Sequence, residues 1–200
     1  MPDSWKFDKN NYKELSLLNE ELKKEVAFLK NEVLEKDKEI KKLTSIDAVT
    51  KVYNRKRIFK YLEKEFARAQ RYKLNFSIIL INIDDFDKIN DIFGFDTGDM
   101  VLGELALELR RLIRFIDILG RYGSDEFLII FPETELEYAK VISQRILETI
   151  EKMTLSDEIK VTISIGLTSF NQESSFNDLL INTMDKLSLA KKNGKNRMEF

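Results

Sequence analysis

An α/β or α+β sheet with helices packed on it, led by a long charged helix, is the fold class that this 200-residue sequence predicts. Three observations predict it. Apolar runs of strand length alternate with stretches of helical period. Two such runs flank the turn residues Gly123-Ser124, which adds an antiparallel hairpin. Residues 12–43 hold no glycine or proline and repeat apolar side chains at heptad spacing.

Taken in order, residues 1–11 read as a tail, 12–45 as the charged helix and 46–200 as a globular domain. In the heptad register Tyr12, Asn19, Val26, Val33 and Ile40 occupy a, and Leu15, Leu22, Leu29, Lys36 and Leu43 occupy d. Branched residues at a with Leu at d favour a parallel two-stranded coiled coil, and one Asn at a helps to set its register. A single amphipathic helix packed on its own domain is the alternative. Thr44-Ser45-Ile46-Asp47 breaks the pattern and supplies cap residues. The spacing then predicts a helix at 55–72, a buried strand at 76–83, a helix at 97–114 and a hairpin over 116–131. A helix at 134–153, a strand at 160–169 and a helix at 176–192 follow.

Composition narrows the chemistry. Charged residues make up 34% and hydrophobic ones 43%, which suits a folded domain, and the formal net charge of -2 gives no general pull toward nucleic acid or anionic membrane. No apolar run is long enough to span a membrane and the first residues lack a signal-peptide core, so the expected location is cytoplasmic. Cysteine and histidine are both absent, which excludes disulfides, thiolate nucleophiles, Cys/His zinc sites and His-based triads. Any metal must be held by oxygen, favouring magnesium, manganese or calcium.

Asp84, Asp85 and Asp87 follow the strand 76–83, and Asp125 and Glu126 sit at the hairpin tip. Such acids could form an oxygen-ligand site for magnesium and a nucleoside triphosphate, or simply a solvated turn. The basic stretch from Lys191 to Arg197 could contact phosphates or satisfy a helix dipole.

Together these segments resemble the GGDEF family of diguanylate cyclase domains. The matching stretches are Asp47 to Arg55, Asn82 to Asp91, Gly94 to Asp99, Arg121 to Phe127, Val161 to Gly166 and Ala190 to Arg197. The resemblance implies a palm-like mixed sheet flanked by helices, similar to nucleotidyl cyclases. Active members bind one GTP per subunit and condense two across a dimer, with two magnesium ions, to cyclic di-GMP and pyrophosphate. A parallel coil would join two such half-sites.

Carried over residue by residue, guanine falls to Asn90 and Asp99, both intact. The metal positions fall on Asn82, on the carbonyl of Ile83 and on Asp125. Asn82 stands where the family has a carboxylate, and Asp84 or Asp85 would have to shift to compensate. The phosphate-binding lysine falls on Asp87, which reverses its charge. Ser124 stands at the second glycine, Asp125 and Glu126 match the acidic pair, and Lys191 and Lys195 match phosphate contacts. Val49, Lys51 and Val52 alter the segment that leads into the domain, and Met184 and Ser188 replace an Asp and a Tyr. Arg114 and Asp117 match the family's RxxD inhibitory site, with Arg145 in support and Arg68 as a residue that a partner domain could offer. Their i, i+3 spacing lets both reach one cyclic di-GMP, unless they are only a surface pair ending a helix.

The functional expectation is a degenerate GGDEF protein, impaired in GTP condensation, that binds cyclic di-GMP through Arg114 and Asp117 and passes a signal through its coil. An active diguanylate cyclase and a dimeric protein-interaction scaffold are the alternatives. Magnesium or manganese is expected only if GTP binds. A homodimer and an unidentified protein partner are expected, without nucleic acid or membrane insertion.

Overall fold

The apolar run Phe76–Ile83 is the middle strand, β1, of a five-stranded sheet ordered β2-β3-β1-β4-β5. The other strands are β2 (Ile118–Arg121), β3 (Glu126–Pro132), β4 (Ile163–Ser169) and β5 (Met198–Glu199). β3 and β4 both pair antiparallel with β1, β2 pairs antiparallel with β3, and β5 joins β4 in parallel. The sheet is therefore mixed. The computed structural model describes residues 9–43, 45–155, 159–171 and 175–200.

All eight residues of β1 are buried because both faces of the sheet are covered. On one face Ile79, Ile81 and Ile83 meet α4 (Phe95–Leu112) and α5 (Leu136–Lys152) through residues such as Leu102, Leu105, Ile146 and Ile150. On the other, Ile78 and Leu80 meet α2 (Arg55–Tyr72) and α6 (Phe176–Lys192) through Ile58, Leu62, Leu179 and Leu187. The period-two alternation of a strand thus serves two cores at once. Each fully buried aliphatic side chain contributes about 1.5–3 kcal/mol.

Local signals set the ends. Asn54 caps α2 by accepting a hydrogen bond from the Arg57 amide at 3.0 Å, and Lys73 ends it in a left-handed conformation. Ser175 and Asp178 form a reciprocal capping box at the start of α6. Gly166 has no side chain because a Cβ would strike the backbone of α6 at Thr183 and Leu187.

Four elements depart from the expectation. Phe86–Phe93 is a helix, α3, where the sequence suggested only acids beyond a strand. Its eight residues are too short for a periodic signal, yet Phe86 and Ile89 are buried at i, i+3 spacing. α4 starts at Phe95 rather than near Thr97 and includes Gly98, and Gly94, with φ of 85°, joins the two helices. β4 begins at Ile163 rather than at Lys160, and β5 is too short to be read from sequence.

The chain divides into two units, Met1–Thr44 and Ser45–Phe200. The first contains the 35-residue helix α1 (Lys9–Leu43), on which Leu15, Leu22, Val26, Leu29 and Val33 are exposed. Of the tail expected at 1–11, residues 1–8 lie outside the described residues, and Lys9 opens α1. Thr44, at the expected break, also lies outside them.

Candidate functional site

The strand end, the hairpin turn and the C-terminal loop converge at one edge of the sheet. Asn82 is opposite Glu126 in the β1–β3 register, so the end of β1 abuts the tip of the hairpin. The Ile83 amide donates to the Asp125 carbonyl at 3.2 Å. Asn82, 4% exposed, donates its Nδ2 to Asp125 Oδ2 at 2.7 Å, and the Ser124 hydroxyl donates to Asp125 Oδ1 at 2.9 Å. Both oxygens of Asp125 thus have protein donors.

The turn explains its own sequence. A Cβ at Gly123 would lie 2.6 Å from Glu126 Oε2, so the Glu126 side chain folds over Gly123 and would have to move aside for a larger residue. Ser124 has no positive φ, so a side chain there costs no backbone strain. Burial first, and then the neighbouring Asp125, raises the Glu126 pKa, against the opposing charges of Lys191 and Arg55.

The acids beyond β1 are committed elsewhere. Asp84, 6% exposed, accepts from the Thr162 and Ser164 hydroxyls, each at 2.7 Å, and from the Asn196 amide at 3.0 Å. It latches β1 to β4 and to the C-terminal loop. Asp85, in a left-handed conformation, pairs with Lys88 at 2.8 Å and Lys195 at 2.9 Å, contacts that hold its pKa down to about 2. The shift of Asp84 or Asp85 toward a metal that the sequence suggested would break these contacts. Asp84→Ala should cost roughly 3 kcal/mol, because one buried and one half-buried hydroxyl and an amide lose a charged acceptor. Thermal unfolding would measure this, and a fall in melting temperature of under 2 °C would contradict the latch.

The other expected positions distribute as follows. Asn90 lies in the last turn of α3 with Oδ1 against Gly98, where a Cβ would overlap it, and exposed Asp99 is the next residue. Asn90 thus packs against the residue that precedes Asp99. Asp87 is exposed in the first turn of α3. Lys191 lies close enough to Glu126 to oppose its shift, whereas Lys195 is held by Asp85.

A two-magnesium centre needs several anionic oxygens converging on one point. The donor set does not fit one. Asn82 presents an amide N–H to Asp125, and Asp84 and Asp85 are engaged. Among the described residues no group of three or more acids is arranged to hold a metal ion.

The Arg114–Asp117 pair lies in the turn between α4 and β2. Asp117, 2% exposed, accepts from the Arg114 amide at 2.7 Å through Oδ2, while its Oδ1 is buried without a hydrogen-bond partner among the described residues. Arg114 and Phe115 are exposed. Arg145 reaches from α5 to donate to the Leu112 carbonyl, which brings it to the same turn. Arg68 is engaged by Glu65 and by Glu133.

Burial raises the Asp117 pKa, opposed by the Arg114 amide and charge. The folded carboxyl therefore holds its proton to higher pH than the unfolded one, and folding takes up a proton between the two pKa values. Stability from this group should rise as pH falls through the folded pKa and level off below the unfolded one. Urea unfolding of wild type and Asp117→Asn across pH 4 to 7 should show wild type gaining on the variant toward the acid end. A difference that does not change with pH would count against the assignment.

Residues assigned no role from sequence complete the site. Arg121 donates to the carbonyls of Gly123 and Ser124 and pairs with Asp47 at 3.2 Å, bracing the turn against the segment that leads into the domain. Burial pushes the Asp47 pKa up, but hydrogen bonds from Thr50 and the charge of Arg121 outweigh it and leave the value lowered. Arg55 stacks over Tyr122 at 5.0 Å. Only their places in the matching stretches marked these residues, since Asp47 and Arg121 are 74 positions apart.

A mixed sheet with an acidic hairpin set against its central strand end, and an Asn/Asp pair at a helix junction, defines a cyclase-like palm domain. The family model described as "Diguanylate cyclase, GGDEF domain" matches residues 44–197, and the chain belongs to that family. It is 31% identical over 159 residues to diguanylate cyclase DosC of Escherichia coli K12, covering 78% of this chain and 35% of DosC. It therefore spans about a third of that relative. The GGDEF domain of DgcB from Caulobacter crescentus, solved in complex with c-di-GMP, is similar with a TM-score of 0.74 and 25% identity, over 78% of this chain and 92% of that one. Diguanylate cyclase SiaD of Pseudomonas aeruginosa, solved with its activator SiaC, has a TM-score of 0.73 and 26% identity over 94% of this chain and 73% of SiaD. Among the described residues no helix is long and apolar enough to cross a membrane.

Proposed function

We propose that this chain is a GGDEF-domain protein of cyclic di-GMP signalling that is impaired in GTP condensation and acts as a cyclic di-GMP-binding effector. The observation that carries the first half is the environment of Asp125. Its two oxygens are met by Asn82 and Ser124, the two residues that depart from the family at the metal position and the second glycine. The departures act together: each supplies a donor, and Asp125 is satisfied without a cation. Asp87 adds a negative charge where the family binds phosphate, and Lys195 is drawn to Asp85.

Exposed Arg114, inward-facing Asp117 with an unpartnered oxygen, and Arg145 at the same turn support the second half. The c-di-GMP complex of the DgcB domain supports the choice of ligand. Two chains pair through α1, whose expected seam residues Leu15, Leu22, Val26, Leu29 and Val33 are exposed on the single chain. Intact Asn90 and Asp99 and the names of the relatives favour the second reading, an active diguanylate cyclase. Incubation with GTP and Mg²⁺ or Mn²⁺, followed by chromatography for cyclic di-GMP, separates the two. Product from wild type that is absent from Asp125→Ala would establish the cyclase.

A further inference from the structure

Lys51 stands where the family has glycine, and its backbone shows why glycine suits the position. Its φ is 57°, in the left-handed region that a residue with a Cβ rarely adopts. Five other described residues with a side chain share a positive φ, Lys73 at the same 57° among them, so it is the surroundings of Lys51 that distinguish it. Beside it is a cavity of about 220 Å³ lined by Ile46, Lys51, Val52, Tyr53, Arg110 and Leu119. Lys51 and Arg110 have no ion-pair partner among the described residues, and no acid lines the cavity. The acid nearest Lys51 in sequence, Asp47, is occupied by Thr50 and Arg121, and the acid nearest Arg110, Glu108, pairs with Arg111.

The polar wall continues beyond the cavity. Arg57 donates to the Tyr61 hydroxyl at 3.2 Å, and the Tyr61 and Tyr53 hydroxyls are hydrogen-bonded at 3.3 Å. A tyrosine hydroxyl can both donate and accept, so Tyr53 brings a hydrogen-bonding group to the cavity. The hydrogen bond with Tyr61 and burial raise the Tyr53 pKa, against the nearby charges of Arg57 and Arg110, so the hydroxyl keeps its proton. Two unpaired cations and a hydroxyl around one cavity suit a compact anion rather than an apolar or cationic ligand. The volume equals that of about seven waters, enough for a phosphate with part of its hydration.

We propose that this cavity binds a phosphate-class oxyanion, either free or as the phosphate of a phosphomonoester. Arg110 and Lys51 supply charge, and Tyr53 supplies a hydrogen-bond donor. None of its lining residues belongs to the Asp125 turn or to the Arg114–Asp117 pair, and the proposal does not depend on whether the chain makes or binds cyclic di-GMP.

The test is an amide ¹H–¹⁵N NMR titration of the full chain with inorganic phosphate at constant ionic strength, with ribose 5-phosphate as a second arm and chloride as control. Saturable shifts confined to Lys51, Val52, Tyr53, Arg110 and Leu119 are expected. Saturation by phosphate identifies a free-anion site, and saturation by ribose 5-phosphate alone identifies a phosphomonoester site. Arg110→Ala and Lys51→Gly should each weaken binding about tenfold, as expected for loss of one charge-assisted contact. Lys51→Gly relieves the left-handed strain, so it should fold and melt no lower than wild type. Shifts that are linear and matched by chloride would overturn the proposal, as would affinity unchanged in Lys51→Gly and Arg110→Ala.

Discussion

Incubated with GTP and Mg²⁺, the wild-type chain should yield no cyclic di-GMP above background, and Arg114→Ala, in which product inhibition could not hide turnover, should be equally silent. The expected deficit is large. A unit charge at about 4 Å and an effective dielectric near 20 interacts by roughly 4 kcal/mol, about a thousandfold in rate, and Asp87 both removes an attraction and adds a repulsion. Asn82 compounds this by removing formal charge from the position where a metal would be held. Neither change alone should restore turnover. Asn82→Asp combined with Asp87→Lys should raise it by at least about a hundredfold over wild type. Asn82→Asp by itself has a separate signature. It turns the 2.7 Å amide–carboxylate contact into two facing carboxylates. That variant should melt below wild type in chelator and recover as Mg²⁺ is added, while wild type should not respond. A wild-type melting temperature that rises with Mg²⁺, or wild-type product that vanishes in Asp125→Ala, would refute the account of Asp125.

Cyclic di-GMP should bind the wild-type chain, and Arg114→Ala should weaken that binding by at least about a hundredfold, the scale of losing a bidentate guanidinium contact to phosphate or base. Arg114 is exposed, so its truncation should leave folding intact and the loss can be read by calorimetry. Asp117→Ala should also weaken binding but will perturb the turn, because its Oδ2 accepts from the Arg114 amide. Arg145→Ala, at the same turn, should have a smaller effect. Affinity unchanged in Arg114→Ala would remove the effector reading. Loss of binding there, with no turnover in either version, would leave a receptor built on a cyclase scaffold.

Much of the fold was legible in sequence. Helix 55–72, strand 76–83 and helix 176–192 are observed at the expected bounds, because long apolar patterns and cap residues act locally. α3 and β5 were not legible: one spans eight residues and the other two, too few for a period to show. At the site, Asn82, Asp87 and Ser124 stood out as departures from a family pattern, and the sequence alone suggested that Asp84 or Asp85 could stand in for the missing acid. In the structure both acids are engaged elsewhere, Asp84 by β4 and the C-terminal loop and Asp85 by two lysines.

The sequence by itself determined the family, the order of the elements and the chemical identity of the altered positions. These depend on residue type and on spacing along the chain. Only the tertiary structure decided that Asn82 and Ser124 address the same carboxylate, that Lys195 turns to Asp85, and that a strained Lys51 meets Arg110 and Tyr53 around one cavity. Such pairings are made by sheet register and by helices docking across the core, between residues up to 112 positions apart. Hydrogen bonds and charge pairs act over a few ångströms of space, and no local pattern records which distant donors a fold will bring within that range.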